Sequence, residues 1–140
     1  LYRYLEFFLK QNNFPKGPIL LRSFSDFLNR KRLKDKPQKQ KEIVNLLKTY
    51  PDLPFILIGD SGEKDIDIYI EIAKAFPKRI LAIYLRSVKH KKKMIRVKNL
   101  ADSYNEVPVL LVKDSNEAKA HAKKSGFILN KILFALSLFL

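Results

Sequence analysis

Apolar positions recur along the chain at two spacings. Leu1, Leu5, Phe8 and Leu9, with Tyr2 and Tyr4 around them, follow a helical period, so residues 1–12 are predicted to form an amphipathic helix. Asn12-Asn13 and Pro15-Lys16-Gly17-Pro18 end it in a turn, and Ile19-Leu20-Leu21 is a short strand candidate. From Ser23 to Gln38 the periodicity is poor and basic residues are frequent, which reads as a loop with one turn near Phe24–Leu28.

Ile43, Leu46 and Leu47 then give a helix from Lys39 to Thr49, limited by Pro51. Phe55 to Ile58 is an unbroken apolar run of strand length, the pattern of a strand covered on both faces. Ile66, Ile68, Tyr69, Ile72, Ala73 and Phe76 mark a helix from Asp65 to Phe76, and Ile80 to Leu85 is the next strand. Strand, helix and strand with short joints make a βαβ unit with parallel strands. Val107 to Val112 is a further strand, placed at an edge or added late because Pro108 cannot donate to a ladder. Ser115 is the expected N-cap of a helix over Asn116 to Lys124, and Gly126 its C′ residue. Ile128 to Leu140 is strongly apolar but shorter than the 18 or so residues needed to span a bilayer as a helix. It reads as a core-packing helix or as part of a membrane or interfacial segment.

At 140 residues the chain is one domain's worth of polypeptide or a large part of one. Cysteine is absent, which removes disulfides, thiolate metal sites and a Cys nucleophile and fits a cytoplasmic protein. The start at Leu1 lies inside a helical pattern with no signal-peptide signature, which suggests part of a longer chain. Lys and Arg total 28 against 14 Asp and Glu, a net charge of +14.

Against that excess, five acids (Asp60, Glu63, Asp65, Asp67 and Glu71) fall in one segment around Gly59-Asp60-Ser61-Gly62. The carboxyl end of a strand in an open α/β sheet is where ligands bind. Glycines on both sides of Asp60-Ser61 allow a tight turn and close backbone approach. Asp65, at the start of a helix, sits where the macrodipole favours a negative charge. Asp60 and Asp65, with water and phosphate oxygens, would suit octahedral Mg²⁺. The plainer alternative is a strand-to-helix turn with Asp65 or Asp67 as a capping acid. Ser61 does not meet the Gly-x-Ser-x-Gly spacing of a nucleophile elbow, and His90 and His121 have no partner at ligand spacing.

Two basic stretches stand apart. Residues 30–41 carry Arg30, Lys31, Arg32, Lys34, Lys36, Lys39 and Lys41, of which one near a helix start could reach a phosphate. The cluster Lys89 to Lys93 suits a solvated loop, an anionic membrane surface or nucleic acid. Nucleic acid is the weakest of the three, because no stacking aromatics lie between the lysines and no recognition motif occurs.

Three stretches together resemble one family. They are Phe14-Pro15-Lys16-Gly17-Pro18-Ile19-Leu20-Leu21-Arg22, Tyr50 to Asp65 with its Gly-Asp-Ser-Gly-Glu-Lys-Asp end, and Ala75-Phe76-Pro77-Lys78-Arg79-Ile80-Leu81-Ala82-Ile83-Tyr84-Leu85-Arg86. They resemble the catalytic domain shared by fungal actin-patch phosphatidate phosphatases and their bacterial relatives, within the haloacid dehalogenase (HAD) superfamily. The resemblance covers most of residues 1 to about 128, with residues 129–140 as an apolar helix or tail. It implies an α/β, HAD-like Rossmannoid three-layer fold with a mostly parallel sheet. The strands that carry the first two motifs are central in such a sheet and are missing from this sequence.

The resemblance also implies an activity, that of a Mg²⁺-dependent phosphatase acting on a phosphorylated substrate, an anionic lipid in this family, with peripheral contact to a membrane. Asp60 and Asp65 become the acids of the Mg²⁺ site. The family's lysine lies about twelve residues before the Pro ahead of the strand, usually after a His. Here that position is Lys39, preceded by Gln38, and Lys41 is a close competitor. The Asp-x-Asp that supplies nucleophile and general acid has no counterpart in this sequence, so these 140 residues alone are expected to be inactive and to leave the strand at Phe55–Ile58 short of a neighbour. The rival expectation is a non-catalytic basic α/β module that binds an anionic membrane surface or nucleic acid.

Overall fold

The computed structural model of the chain describes residues 2–12, 38–61, 64–88 and 91–128. In chain order the elements are α1 (Tyr2–Gln11), α2 (Gln38–Thr49), β1 (Phe55–Asp60), α3 (Asp65–Ala75), β2 (Ile80–Arg86), α4 (Lys91–Ser103), β3 (Val109–Val112) and α5 (Ser115–Lys124). The three strands form one parallel sheet in the order β1-β2-β3. The α/β class and the parallel pairing therefore stand as expected. The strand candidate at Ile19, the turn near Phe24–Leu28 and the apolar tail from Leu129 lie outside the described residues.

β2 is the central strand and is buried on both faces, as its run Ile80-Leu81-Ala82-Ile83-Tyr84-Leu85 requires. On one face Ile83 and Leu85 join Phe55 and Leu57 of β1 in a core closed by Ile43 and Leu47 of α2, Ile66, Tyr69 and Ile72 of α3, and Val97 of α4. On the other face Ala82 and Tyr84 meet Val112 and Ala122, with Phe127 and Ile128 packed beside them. β1 departs from the expectation of cover on both faces. Phe55 and Leu57 are buried, whereas Ile56 and Ile58, pointing the opposite way, are only partly so. Among the described residues β1 is also an edge strand.

α2 is fixed at its C-terminal end by Arg79, just before β2. The Arg79 guanidinium donates to the carbonyl oxygens of Leu47 (3.1 Å), Tyr50 (2.6 Å) and Leu53 (3.0 Å). A cation there satisfies orphan helix carbonyls and complements the negative end of the macrodipole. α1 forms over the predicted residues, yet none of them is buried and Tyr2, Tyr4, Phe7 and Phe8 are exposed.

Two local expectations change. Of the basic cluster Lys89 to Lys93, one reading of which is a solvated loop, the described residues Lys91 to Lys93 open helix α4. Its buried side is carried by Val97 alone, with Met94, Leu100 and Ala101 half-buried beside it, so the run of basic residues at its start masks the period of the apolar stripe. The N-cap of α5 is Asp114 and not Ser115. Asp114 has extended backbone, and its carboxylate accepts from the amides of Asn116 (2.8 Å) and Glu117 (3.0 Å). A carboxylate on the cap also gains from the helix dipole, which a serine hydroxyl one residue later does not. Gly126 follows the C-cap with φ of 71°, as the glycine reading required. Asp114→Ala should lower the unfolding free energy by about 1 kcal/mol, and Ser115→Ala by clearly less. Urea denaturation of the two variants checks the assignment.

Candidate functional site

The strand ends carry the predicted acids because of register. β1 and β2 run parallel with Gly59 opposite Leu85 and Asp60 opposite Arg86, so Asp60 and Arg86 finish adjacent strands side by side. Their side chains meet, Arg86 Nη2 donating to Asp60 Oδ2 at 2.9 Å. The pair is partly solvated, with Arg86 mostly exposed, so it contributes little to stability.

Asp65 is placed differently. It is the first residue of α3 and lies buried, its side chain 4% exposed. Its Oδ2 accepts from the backbone amide of Asp60 at 3.1 Å, and its Oδ1 takes a 2.6 Å ion pair from Lys39 Nζ on α2. Neither Asp65 nor Asp67 caps α3, since the N-cap is Lys64 and no side chain bonds there. The capping alternative is thus set aside by geometry. Lys39, Asp60 and Asp65 converge at the carboxyl end of β1. Lys41, two residues along and about 200° around the helix, is exposed.

Gly59 makes this possible. A Cβ on Gly59 would run into Asp65 Oδ2 and stand 2.8 Å from Tyr69 Cε2 and 2.9 Å from the Tyr69 hydroxyl. The glycine is needed for close approach of the protein's own side chains rather than for a special φ. Tyr69, which the sequence shows only as one of the residues marking the helix after β1, lies beneath the turn and donates its hydroxyl to Ile58 O at 2.8 Å. Burial, and then the nearby Asp65 charge, push the Tyr69 phenol well above its usual range.

Ser61 is fully buried. Its hydroxyl donates to Arg86 O (2.8 Å), accepts from the Val88 amide (3.2 Å) and lies 3.3 Å from the Met94 sulfur. It ties the loop after β1 to the loop after β2, and so has no geometry for nucleophilic attack. Two other acids of the cluster are also engaged. Asp67 takes both its oxygens to Arg96 of α4 (2.7 and 2.9 Å), and Glu71 accepts from Gln40 of α2 at 2.8 Å. Glu63, Gly62 and His90 lie outside the described residues. His121 stands on the far face of the sheet, its Nδ1 2.8 Å from the Tyr84 hydroxyl. Among the described residues no three His, Cys, Asp or Glu side chains converge as a metal cage. Asp60 and Asp65 thus place two carboxylates at one strand end, the first paired with Arg86 and the second engaged at both oxygens by Lys39 and the Asp60 amide. An open groove of about 610 Å³ between α2 and α3 is lined by Gln40, Val44, Lys48, Glu71 and Lys74, and Lys39, Asp60 and Asp65 are not part of it.

A family model described as phosphatidate phosphatase APP1, catalytic domain, matches residues 1–87, a span that includes Lys39, Asp60 and Asp65. The chain belongs to the APP1 catalytic-domain family. Phosphatidate phosphatase APP1 of Saccharomyces cerevisiae is 45% identical over 75 residues, 53% of this chain and 13% of that protein. An uncharacterized protein of Schizosaccharomyces pombe is 35% identical over 82 residues, 58% of this chain and 14% of that protein. The chain thus spans about one seventh of the length of these relatives. No solved structure matches. The resemblance read from the sequence is the family the comparison finds, and α4, β3 and α5 lie beyond the matched residues.

The raised Tyr69 pKa makes stability depend on alkaline pH. The unfolded chain releases that proton first, near pH 10, so the Tyr69 contribution is complete below that point and declines as pH rises toward the folded-state value. Tyr84 and Tyr104 are shifted the same way by burial and leave some slope of their own. Tyr69→Phe should cost about 1 kcal/mol at neutral pH for the lost hydrogen bond and flatten the alkaline decline. Unfolding free energies measured from pH 7 to about 11 check this, and equal slopes in both proteins would clear Tyr69 of the effect.

Proposed function

We propose that this chain supplies the metal- and phosphate-facing half of a HAD-type, Mg²⁺-dependent phosphatase centre acting on a phosphatidate-like lipid monoester at a membrane surface. The observation that carries the reading is the convergence of Lys39, Asp60 and Asp65 at the carboxyl end of β1, inside the span that matches a phosphatidate phosphatase catalytic domain. Asp60 and Asp65 would hold Mg²⁺. When bound, the ion supplies charge neutralisation for the phosphoryl group.

The chain's own residues would do the rest by position. Lys39, held on Asp65, keeps a fixed positive charge at the strand end, where it favours negative charge that develops on a transferring phosphoryl group. Asp65 orients that lysine and fixes the Asp60 backbone in one stroke. Asp60, less buried than Asp65, is the carboxylate presented outward. Arg86 holds Asp60 from the neighbouring strand. In the HAD reading an aspartate carboxylate from outside the described residues attacks phosphorus and displaces the lipid alcohol, which takes up a proton, and water then hydrolyses the aspartyl-phosphate to inorganic phosphate and the free aspartate.

Asp60→Asn is the informative substitution, because the Asp60–Arg86 pair is solvated and its loss barely affects folding. Asp65→Asn would set an amide group against two donors and confuse folding with function. In the full-length protein Asp60→Asn should lower Mg²⁺-dependent release of phosphate from phosphatidate by about 10²–10³-fold with an unchanged melting temperature. Chelation by EDTA should abolish turnover and added Mg²⁺ restore it. Full activity in the variant or in EDTA would remove the metal site from this reading.

A further inference from the structure

We infer that the outer face of α4 is a docking surface for an anionic lipid bilayer, with Ile95 as its apolar contact. At 3.6 residues per turn, Lys91, Lys92 and Lys98 stand four and three positions before and three after Ile95 and share its side of the helix. That side is opposite Val97, the residue α4 buries in the core. Lys91, Lys92 and Lys98 are exposed, and Ile95 is 60% exposed in the midst of them. Asn99 and, toward the C-terminal end, Asp102 complete the face.

Three observations select a lipid surface as the partner. Lysines around one protruding aliphatic side chain match an interface whose headgroups are anionic and whose acyl boundary lies just beneath them. The face has no aromatic side chain to stack on bases, which weakens nucleic acid as its partner. Arg96 Nη2 donates to both carboxylate oxygens of Asp67 and Met94 rests against Ser61, so α4 is fastened to α3 and to the residue that follows Asp60. A bilayer on this face would therefore be held at a constant position relative to the strand ends. The surface deepens the phosphatase reading and rests on it only for what the site does there.

Vesicle co-sedimentation of the full-length protein tests it. Vesicles of phosphatidylcholine with phosphatidylserine carry no phosphomonoester, so docking is measured apart from catalysis. The protein should bind them, more weakly as salt rises, and should not pellet with pure phosphatidylcholine. Removing the three charges in the Lys91→Gln, Lys92→Gln, Lys98→Gln variant should weaken binding about a hundredfold, near fivefold for each lysine. Ile95→Ser should weaken it about tenfold. Both variants should retain the melting temperature and the turnover of a soluble aryl phosphate. Unchanged vesicle binding in the triple variant, or equal binding to neutral vesicles, overturns the assignment. Binding to duplex DNA that depends on the same lysines, without vesicle binding, overturns it in favour of nucleic acid. Vesicle binding that follows these residues in a protein with no phosphatase turnover upholds the surface and overturns the phosphatase reading.

Discussion

A missing methyl group at Gly59 sets the arrangement at the end of β1. There the strand passes so close under Asp65 and Tyr69 that any side chain would displace them. With that space open, the Asp65 carboxylate folds back over the strand and accepts the Asp60 amide while holding Lys39. A carboxylate buried this deeply would be costly without compensation, since an uncompensated buried charge is among the larger penalties in folding. Two donors on its two oxygens remove that cost. The same contact joins three elements, because the amide belongs to β1, the carboxylate to α3 and the ammonium to α2. Arg79 then keeps α2 from rotating away by gripping the carbonyls at its far end.

The acidic cluster looks in sequence like one cation site and in structure divides by task. α3 turns its isoleucines into the core and spends its acids on its neighbours. Asp65 goes to Lys39 of α2, Glu71 to Gln40 of α2, and Asp67 to Arg96 of α4. A chain with twice as many cationic as anionic side chains must place each acid where several bases compete for it. Here the acids serve as clamps between helices on one face of the sheet. Among the described acids of the cluster, only Asp60, at the end of β1, keeps a carboxylate at the strand end outside this clamping role, and its partner Arg86 comes from the next strand.

How much was legible follows from which forces write themselves into local sequence. β1, α3 and β2 were readable because burial on known faces imposes a period, and the Gly-Asp turn was readable because glycine has few other uses at a strand end. Lys39 was reachable only through family resemblance, since nothing in the local pattern distinguishes it from Lys41. α4 was hidden because only Val97 is buried in the core while basic residues, three of them consecutive lysines, crowd its first two turns. Tyr69 looked like any core aromatic. Its role against Gly59 and Ile58 depends on a contact between a helix and the strand before it, which spacing does not encode. The cap at Asp114 was missed for a smaller reason, that two adjacent residues were both good caps and only backbone geometry chooses between them.

The residues that match the catalytic-domain family end at Ser87, yet the packing does not stop there. Ile83 and Leu85 on the central strand are completely buried, and they owe part of that cover to β3 and α4. Ser61, inside the matched span, donates to Arg86 within it but also meets Val88 and Met94 outside it, and Asp67 is paired with Arg96. Cutting the chain after the match would open one side of β2, take from the buried Ser61 hydroxyl the Val88 amide and the Met94 sulfur, and leave the start of α3 without its second clamp. Each of these losses falls on an element that borders Asp60, the last residue of β1. The geometry of the candidate centre is therefore a property of the whole three-stranded unit, and the helix that exposes Ile95 and its lysines is one of the parts that hold the centre in shape.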